Sequence, residues 1–234
     1  MRGDVVFMEE LPGSHAPPLS KSVERMIVVA VALLLLVPCF WQPYILAGDL
    51  ASHSYNAWLA GEIRAGRAPG LTVEPVYTNV LTDLWLERLI RAYGRSGAEP
   101  VVVALAVETF FWGAFLFIGG IHRAKPWMMA PSLAMLAYGL VFHFGFLNFY
   151  LSTGLSLWIM WLLWRLSRLR VAVALPLVAL AFLAHPVPLA WAAGCLIYFH
   201  ISVRVPPAQR PMLLVTGVSV LVLVQSVLTT LFPS

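Results

Sequence analysis

Charge is scarce in this chain. Asp, Glu, Lys and Arg together make up only 11% of its 234 residues, against about 25% in an ordinary soluble domain. A water-facing globular surface is therefore excluded, and so are a disordered chain and a coiled coil, which both need abundant charge. Cysteine is nearly absent as well. Cys39 and Cys195 are the only two, and both lie in apolar runs, which excludes a disulfide scaffold or a cysteine-built zinc site and leaves them as small buried hydrophobes. There is no glycine-rich phosphate loop after a strand, no nucleophile elbow and no HExxH helix. The net charge of +4 is spread between apolar runs rather than clustered, so nucleic acid is not an expected partner.

What the chain has instead is apolar length. Hydrophobic residues make up 60% of it, enough for about seven membrane spans at roughly 20 residues each. The expected fold class is all-α, a polytopic transmembrane helix bundle of about seven spans. The runs are Met26–Leu46, Val101–Ile121, Trp127–Phe142, Phe146–Trp164, Val171–Ala184, Val187–Val203 and Met212–Phe232. The third and fifth are short, which leaves a re-entrant or half-buried hairpin open there. Arg25 precedes the first run, but the run continues to Leu46 without a small-x-small cleavage site, so it reads as an uncleaved first span. Residues 1–25 form an expected cytoplasmic tail, and 26–234 a single transmembrane domain with a long outer loop at 47–100.

Lys and Arg in alternate loops set the expected orientation. Arg2, Lys21, Arg25, Arg123, Lys125, Arg165, Arg168, Arg170, Arg204 and Arg210 fall on one side, ten of the 15 basic residues. The turns Phe142–Gly145 and His185-Pro186 on the other side have none. The remaining five lie in the long loop, and long loops count less. The N-terminus is thus expected in the cytoplasm and the long loop outside.

That loop holds most of the polarity. Gly48–Arg67, GDLASHSYNAWLAGEIRAGR, reads as a helix ended by Gly66 and Pro69-Gly70. At 100° per residue Asp49, His53, Asn56, Ala60, Arg64 and Arg67 share one stripe, with Tyr55, Trp58 and Leu59 opposite. A solvated face of an interfacial helix and a functional face both fit this pattern. A second helix, about Asn79–Tyr93, has Leu81, Leu84, Trp85 and Leu89 on one side and Asp83, Glu87, Arg88 and Arg91 on the other, with a favourable Glu87–Arg91 spacing. It reads as a helix on the membrane surface.

Three histidines, His53, His143 and His185, fall on the outer side. His143 opens HFGFLNFYLS, which carries Asn148, Tyr150 and Ser152 into the fourth span, and His185 opens HPVP. Each is compatible with an interfacial histidine satisfied by water or backbone; together with Asp49 they converge on one compartment. Glu108 lies about 10 Å into the second span. An acid at that depth is a functional candidate or a protonated interhelical hydrogen-bonder, with Arg64, Arg67, His143 and His185 as its candidate partners.

A first span, an outer loop opening on an acid (GDLASHSYNAW), two surface helices before the second span and short outer turns afterwards resemble the N-terminal seven-helix module of the GT-C superfamily of membrane glycosyltransferases. HFGFLNFYLS and AHPVPLAW are similar to segments of uncharacterised bacterial multi-pass proteins of this type. The resemblance covers nearly the whole chain, as a pattern of organisation with short motifs. It implies transfer of a sugar from a polyprenyl-phosphate-linked donor to an acceptor on the extracytoplasmic face of a bacterial inner membrane. Asp49 matches the acid of the family's first outer loop, with the implied role of general base or acceptor-orienting carboxylate. Arg64 and Arg67 are implied to hold the phosphate, and His53 to orient Asp49 or to share a divalent cation with it. Asn56, Glu108, His143, Asn148 and His185 complete the expected substrate-binding set.

Many members carry two adjacent acids in this loop. Here there is one, leaving Glu62, Glu74 or Asp83 to supply the second. Family enzymes also continue beyond seven spans, so a module of a longer protein or a minimal member is expected. Three other classes fit the residues: a non-catalytic membrane subunit binding lipid or partner helices, a transporter with Glu108 as relay, and a haem protein ligated by His143 and His185. The scarcity of charge in the other spans and the lack of an inverted repeat weigh against a transporter.

Overall fold

The computed structural model describes residues 19–42, 44–121 and 126–231. Arg2, Arg123 and Lys125 of the charge pattern lie outside the described residues, as does Phe232 at the end of the last expected span. All regular structure among the described residues is helical. Nine α-helices follow one another: α1 (Lys21–Trp41), α2 (Leu50–Arg64), α3 (Leu81–Ile121), α4 (Ala130–Ala137), α5 (Leu140–His143), α6 (Leu147–Leu163), α7 (Arg168–Ala184), α8 (Pro186–Ser202) and α9 (Arg210–Leu231), with short 3-10 turns at Pro126–Met129 and Pro207–Gln209.

The apolar runs become helices because unbranched and branched aliphatic residues are uninterrupted by turn chemistry, and their ends carry recognisable caps. Ser20 accepts from the Val23 N–H at the start of α1 and Ser167 from the Arg170 N–H at the start of α7. Both do what an N-cap serine does for the orphan donors of a first turn. Among the described residues two helices, α1 and α3, are long and apolar enough to cross a membrane by length and composition. α6 and α8, at 17 residues each, rise about 25 Å, less than the roughly 30 Å of a hydrocarbon core.

Two of the expected elements differ in detail. Trp127–Phe142 is not one helix: Gly139 is extended (φ −77°, ψ −171°) and separates α4 from α5. The surface helix and the second span are consecutive segments of α3, parted only at Gly94, whose φ of 71° lies in a region open to glycine and closed to most L-residues.

α6 is the hub of the bundle, packing on α3 and α7 and also on α8. Its contact with α3 is close enough to exclude a side chain. A Cβ on Gly154 would lie 2.7 Å from the Phe110 backbone nitrogen, and one on Gly113 would lie 2.6 Å from the Gly154 carbonyl oxygen. Small residues at such a crossing let the backbones approach and let dispersion act over a long seam. Val103, Val107 and Phe111 of α3, with Leu151 and Ile159 of α6, form the fully buried core along it.

Three polar side chains of α6 fasten its neighbours. The Asn148 Oδ1 accepts from the Thr82 N–H (2.9 Å) while its Nδ2 donates to the Asn79 carbonyl (3.0 Å). The Tyr150 hydroxyl donates to the Ala137 carbonyl, 2.9 Å away. The Ser152 hydroxyl lies 3.0 Å from the Ala181 carbonyl oxygen and 2.6 Å from that of His185. The starts of α3 and α6 and the end of α7 are thereby gathered at one end of the bundle. The basic residues Lys21, Arg25, Arg165, Arg168, Arg170, Arg204 and Arg210 fall at the opposite helix ends.

Candidate functional site

The site is built around the start of α2. Gly48 N–H donates to the His143 carbonyl (2.9 Å) and Asp49 N–H to the Phe144 carbonyl (3.0 Å). The segment carrying the acid is therefore paired, backbone to backbone, with the turn between α5 and α6. Gly145, at φ +75°, closes that turn; a Cβ there would stand 2.3 Å from the Asp49 nitrogen. The two motifs GD and HFGF, almost a hundred residues apart, form one unit for that reason. Asp49 itself is exposed, and its carboxylate makes no cap to α2.

One turn along, the His53 Nδ1 is 2.7 Å from the Asp83 Oδ1, with both side chains largely enclosed. That hydrogen bond, reinforced by the charges of Asp83 and Asp49 and opposed by burial, raises the His53 pKa above its usual value near 6.5. With Nδ1–H directed at Asp83, Nε2 is left for another partner. Of the three residues that could supply the second acid, Asp83 is the one brought to His53, one turn from Asp49. Glu62 is held by Arg67 in a bidentate pair at 2.6 and 2.7 Å, and Glu74 lies in the extended segment before α3.

The raised pKa has a signed consequence for stability. Protonated His53 stabilises the fold fully below its unfolded value near pH 6.5, and that contribution fades as pH rises through the higher folded value. Thermal unfolding of wild type and Asp83→Asn, scanned from about pH 5.5 to about 9, is expected to give the largest gap at the acid end. The gap should be on the order of 1.5–3 kcal/mol, as for a hydrogen bond to a charged group, and should narrow with rising pH. A gap independent of pH would remove the imidazolium–carboxylate pair from the account.

The α2 stripe is solvated at Asp49, Asn56, Arg64 and Arg67 and partly enclosed at His53 and Ala60, along the edge that meets α3. α2 packs on α3 through Leu50, Ser54 and Ala57, all at most 3% exposed, and through Gly61, whose position faces the Glu87 side chain. His53 and Arg64 flank this seam and reach across it. Arg64 pairs with Glu87, which Arg91 also contacts at 3.0 Å. Asp83 and Glu87 thus turn from the expected surface toward α2, and Glu87 is buried. Asn56 stays exposed. Two clefts flank the Arg64–Glu87 bridge. One of about 530 Å³ is lined by Asn56, Arg64, Glu74 and Asp83, and one of about 590 Å³ by Trp58, Glu62, Arg67 and Arg91. Both are the size of ordinary ligand sites.

The other expected residues divide. His143 is exposed, and its carbonyl holds Gly48. Beside it an apolar groove of about 420 Å³ runs between Pro38, Cys39, Leu46, Tyr138 and Phe142. His185 caps α8, its Nδ1 accepting from the Val187 N–H, and packs edge-on against Phe149. Asn148, 1% exposed, is the clamp on α3 described above and positions Asp83 from behind. Glu108 joins none of its four expected partners. Its Oε1 is enclosed without a hydrogen-bond partner among the described residues, beside Trp112 one turn on. No group of three or more His, Cys, Asp or Glu side chains is placed to hold a metal ion among the described residues. A divalent cation shared by Asp49 and His53 therefore has no complete protein ligand set there.

The sequence offered Asp83 as one of three candidates for the second acid but not as the partner of His53, and it placed Glu87 on an outward polar face rather than against Arg64. The one available signal was their helical spacing, four apart like the turn-by-turn spacing of the groups they meet. Comparison of the chain with family models, with curated proteins and with solved structures finds no match in any of the three.

Proposed function

We propose that this chain is a GT-C-like membrane glycosyltransferase that moves a sugar from a polyprenyl-phosphate-linked donor to an acceptor hydroxyl. In this reading it is a seven-span bundle of a bacterial inner membrane, with the N-terminus in the cytoplasm and the Asp49 end of the bundle outside. The observation that carries the reading is the state of Asp49. Its backbone is fixed by the 143–145 turn while its carboxylate is exposed and unused in capping, and a carboxylate-oriented histidine sits one turn away.

The chemistry follows from charge. Asp49 takes the proton of the acceptor hydroxyl as its oxygen bonds to the anomeric carbon. The anomeric carbon–oxygen bond to the phosphate breaks, and the polyprenyl phosphate leaves with added negative charge. Imidazolium at His53, sustained by Asp83, offers Nε2–H to that charge, and Arg64 at the neighbouring cleft adds a second cation. The apolar groove ending at His143 suits the carrier's hydrocarbon chain. Arg67 is held by two hydrogen bonds to Glu62, whereas Arg64 shares Glu87 with Arg91 and keeps more of its donors for the phosphate.

The deciding experiment is transfer or release of labelled sugar from polyprenyl-phosphate donors in proteoliposomes of the full chain. Turnover supports the reading; its absence with every donor, from folded protein, points to the non-catalytic membrane subunit with a partner chain. Orientation has its own test. Reporter fusions after Trp41 and after Ile121 should report opposite sides of the membrane, the first outside, and equal signals would overturn the topology.

A further inference from the structure

We infer that the cleft at the start of α1, at the end of the bundle opposite Asp49, is a binding site for one anionic glycerophospholipid. The cleft has a volume of about 380 Å³ and lies between the first turns of α1, the far part of α3 and the 3-10 turn at Pro126–Met129. Its rim carries Lys21 and Arg25, with Glu24 between them, and its floor is Val28, Trp112 and Phe115.

Three independent features point to an anion with an apolar tail. The first is that Lys21 and Arg25 make no salt bridge among the described residues, whereas four of the five arginines between 47 and 100, Arg64, Arg67, Arg91 and Arg95, are paired. The second is their position. Two cations stand in the first two turns of a helix, at the positive end of its dipole, where anions are favoured and cations are not. Glu24 offsets only one of them, and an added phosphate would neutralise the remainder. The third is Trp127, whose half-buried ring lines the same cleft beside Val28 and Phe115; tryptophan is the residue that favours the boundary between an apolar layer and a polar headgroup region.

The amphipathy of the cleft separates a lipid from free phosphate. The cations sit at the start of α1, just before the apolar run from Met26, and the apolar floor begins a turn deeper at Val28. That order matches a phosphate headgroup above an acyl chain. Basic pockets between helices near the cytoplasmic surface are suited to such headgroups. The assignment rests on the orientation proposed above only for the leaflet; binding itself depends on neither sugar transfer nor topology.

The test uses the full chain purified in a neutral maltoside detergent, with bound lipid read by native mass spectrometry. Phosphatidylglycerol is expected to be retained about ten-fold or more over phosphatidylcholine, following a few-fold gain for each basic residue near the headgroup. Lys21→Gln with Arg25→Gln should bring the two lipids to near equality, while Arg204→Gln with Arg210→Gln should leave the preference intact. Arg25→Gln alone, which removes one exposed cation from the rim, should weaken phosphatidylglycerol severalfold, and it keeps the test alive if the double variant does not fold. Equal retention of both lipids by wild type, or an unchanged preference in the first double variant, would overturn the site. Glycerol 1-phosphate binding as tightly as the lipid would overturn the acyl-chain part and leave an anion site alone. A wild-type protein that transfers sugar but shows no lipid preference would refute this inference without touching the proposed activity.

Discussion

Asp49→Asn is expected to lower sugar transfer by about 10²–10⁴-fold, the range a positioned general base contributes, while unfolding stability stays within about 0.5 kcal/mol of wild type. The two halves of this expectation come from the same geometry. The amide has nearly the shape of the carboxylate but cannot take the acceptor's proton, so the chemical step loses its base. The side chain is exposed and does not cap α2, so the fold loses little. What holds Asp49 in place is its N–H bond to the Phe144 carbonyl, and Asn keeps that. A structural role for the residue would reverse the pattern, with stability falling and turnover following only as folded protein is lost. Wild-type and Asp49→Asn protein turning over equally would remove Asp49 from the mechanism. His53→Gln is the companion measurement. If imidazolium meets the leaving phosphate, this variant should lose rate most at low pH, where the histidine it replaces is charged, and the difference should shrink above the raised His53 pKa.

The helical class was legible because composition and run length suffice for it: an apolar stretch of this kind has no other way to satisfy its backbone than by forming a helix. The position of Asp49, His53 and Arg64 on one face of a helix was legible too, since 3.6-residue periodicity is a local property. What lay across from that face was not. A projection at 100° per residue ranks residues around an axis but does not locate the axis against another, so it could not show that α3 covers one edge of a stripe otherwise open to solvent. The buried seam runs through Leu50, Ser54, Ala57 and Gly61, a set that looks neither polar nor strongly apolar and gives no pattern signal. Asp83 was one of three acids in view, and only the Asn148 clamp, 66 residues beyond Thr82, makes it the one that reaches His53. Glu108 shows the opposite failure. Depth in an apolar run marked it as costly, and the four partners named for it were those with suitable charge; each proved to be occupied or placed elsewhere, because α2 and α3 satisfy their own ions first.

Gly145→Ala is expected to be the most damaging conservative change in the site, although glycine carries no chemistry. Two costs add. The residue sits at φ +75°, where an L side chain costs about 1–2 kcal/mol. Its new Cβ would also stand 2.3 Å from the Asp49 nitrogen and 2.9 Å from that of Leu50, and both are backbone atoms that no rotamer change can move. The 143–145 turn must therefore separate from the start of α2, which breaks the Gly48 and Asp49 hydrogen bonds to His143 and Phe144. A loss of about 3 kcal/mol or more follows, in the range reserved for strained backbone and broken buried networks. For a chain of this length that is a fall in Tm of roughly 6–12 °C. Gly194→Ala in α8 is the control. Nothing lies within 4 Å of the added methyl and the backbone is helical, so it should be neutral or stabilising by up to about 1 kcal/mol. A Gly145→Ala protein as stable as Gly194→Ala would show that the turn does not dock on α2. Because the site depends on that docking, the folded fraction of Gly145→Ala should also transfer sugar poorly with Asp49 still present. Stability lost with rate in Gly145→Ala, and rate lost alone in Asp49→Asn, would separate the placing of the carboxylate from its use.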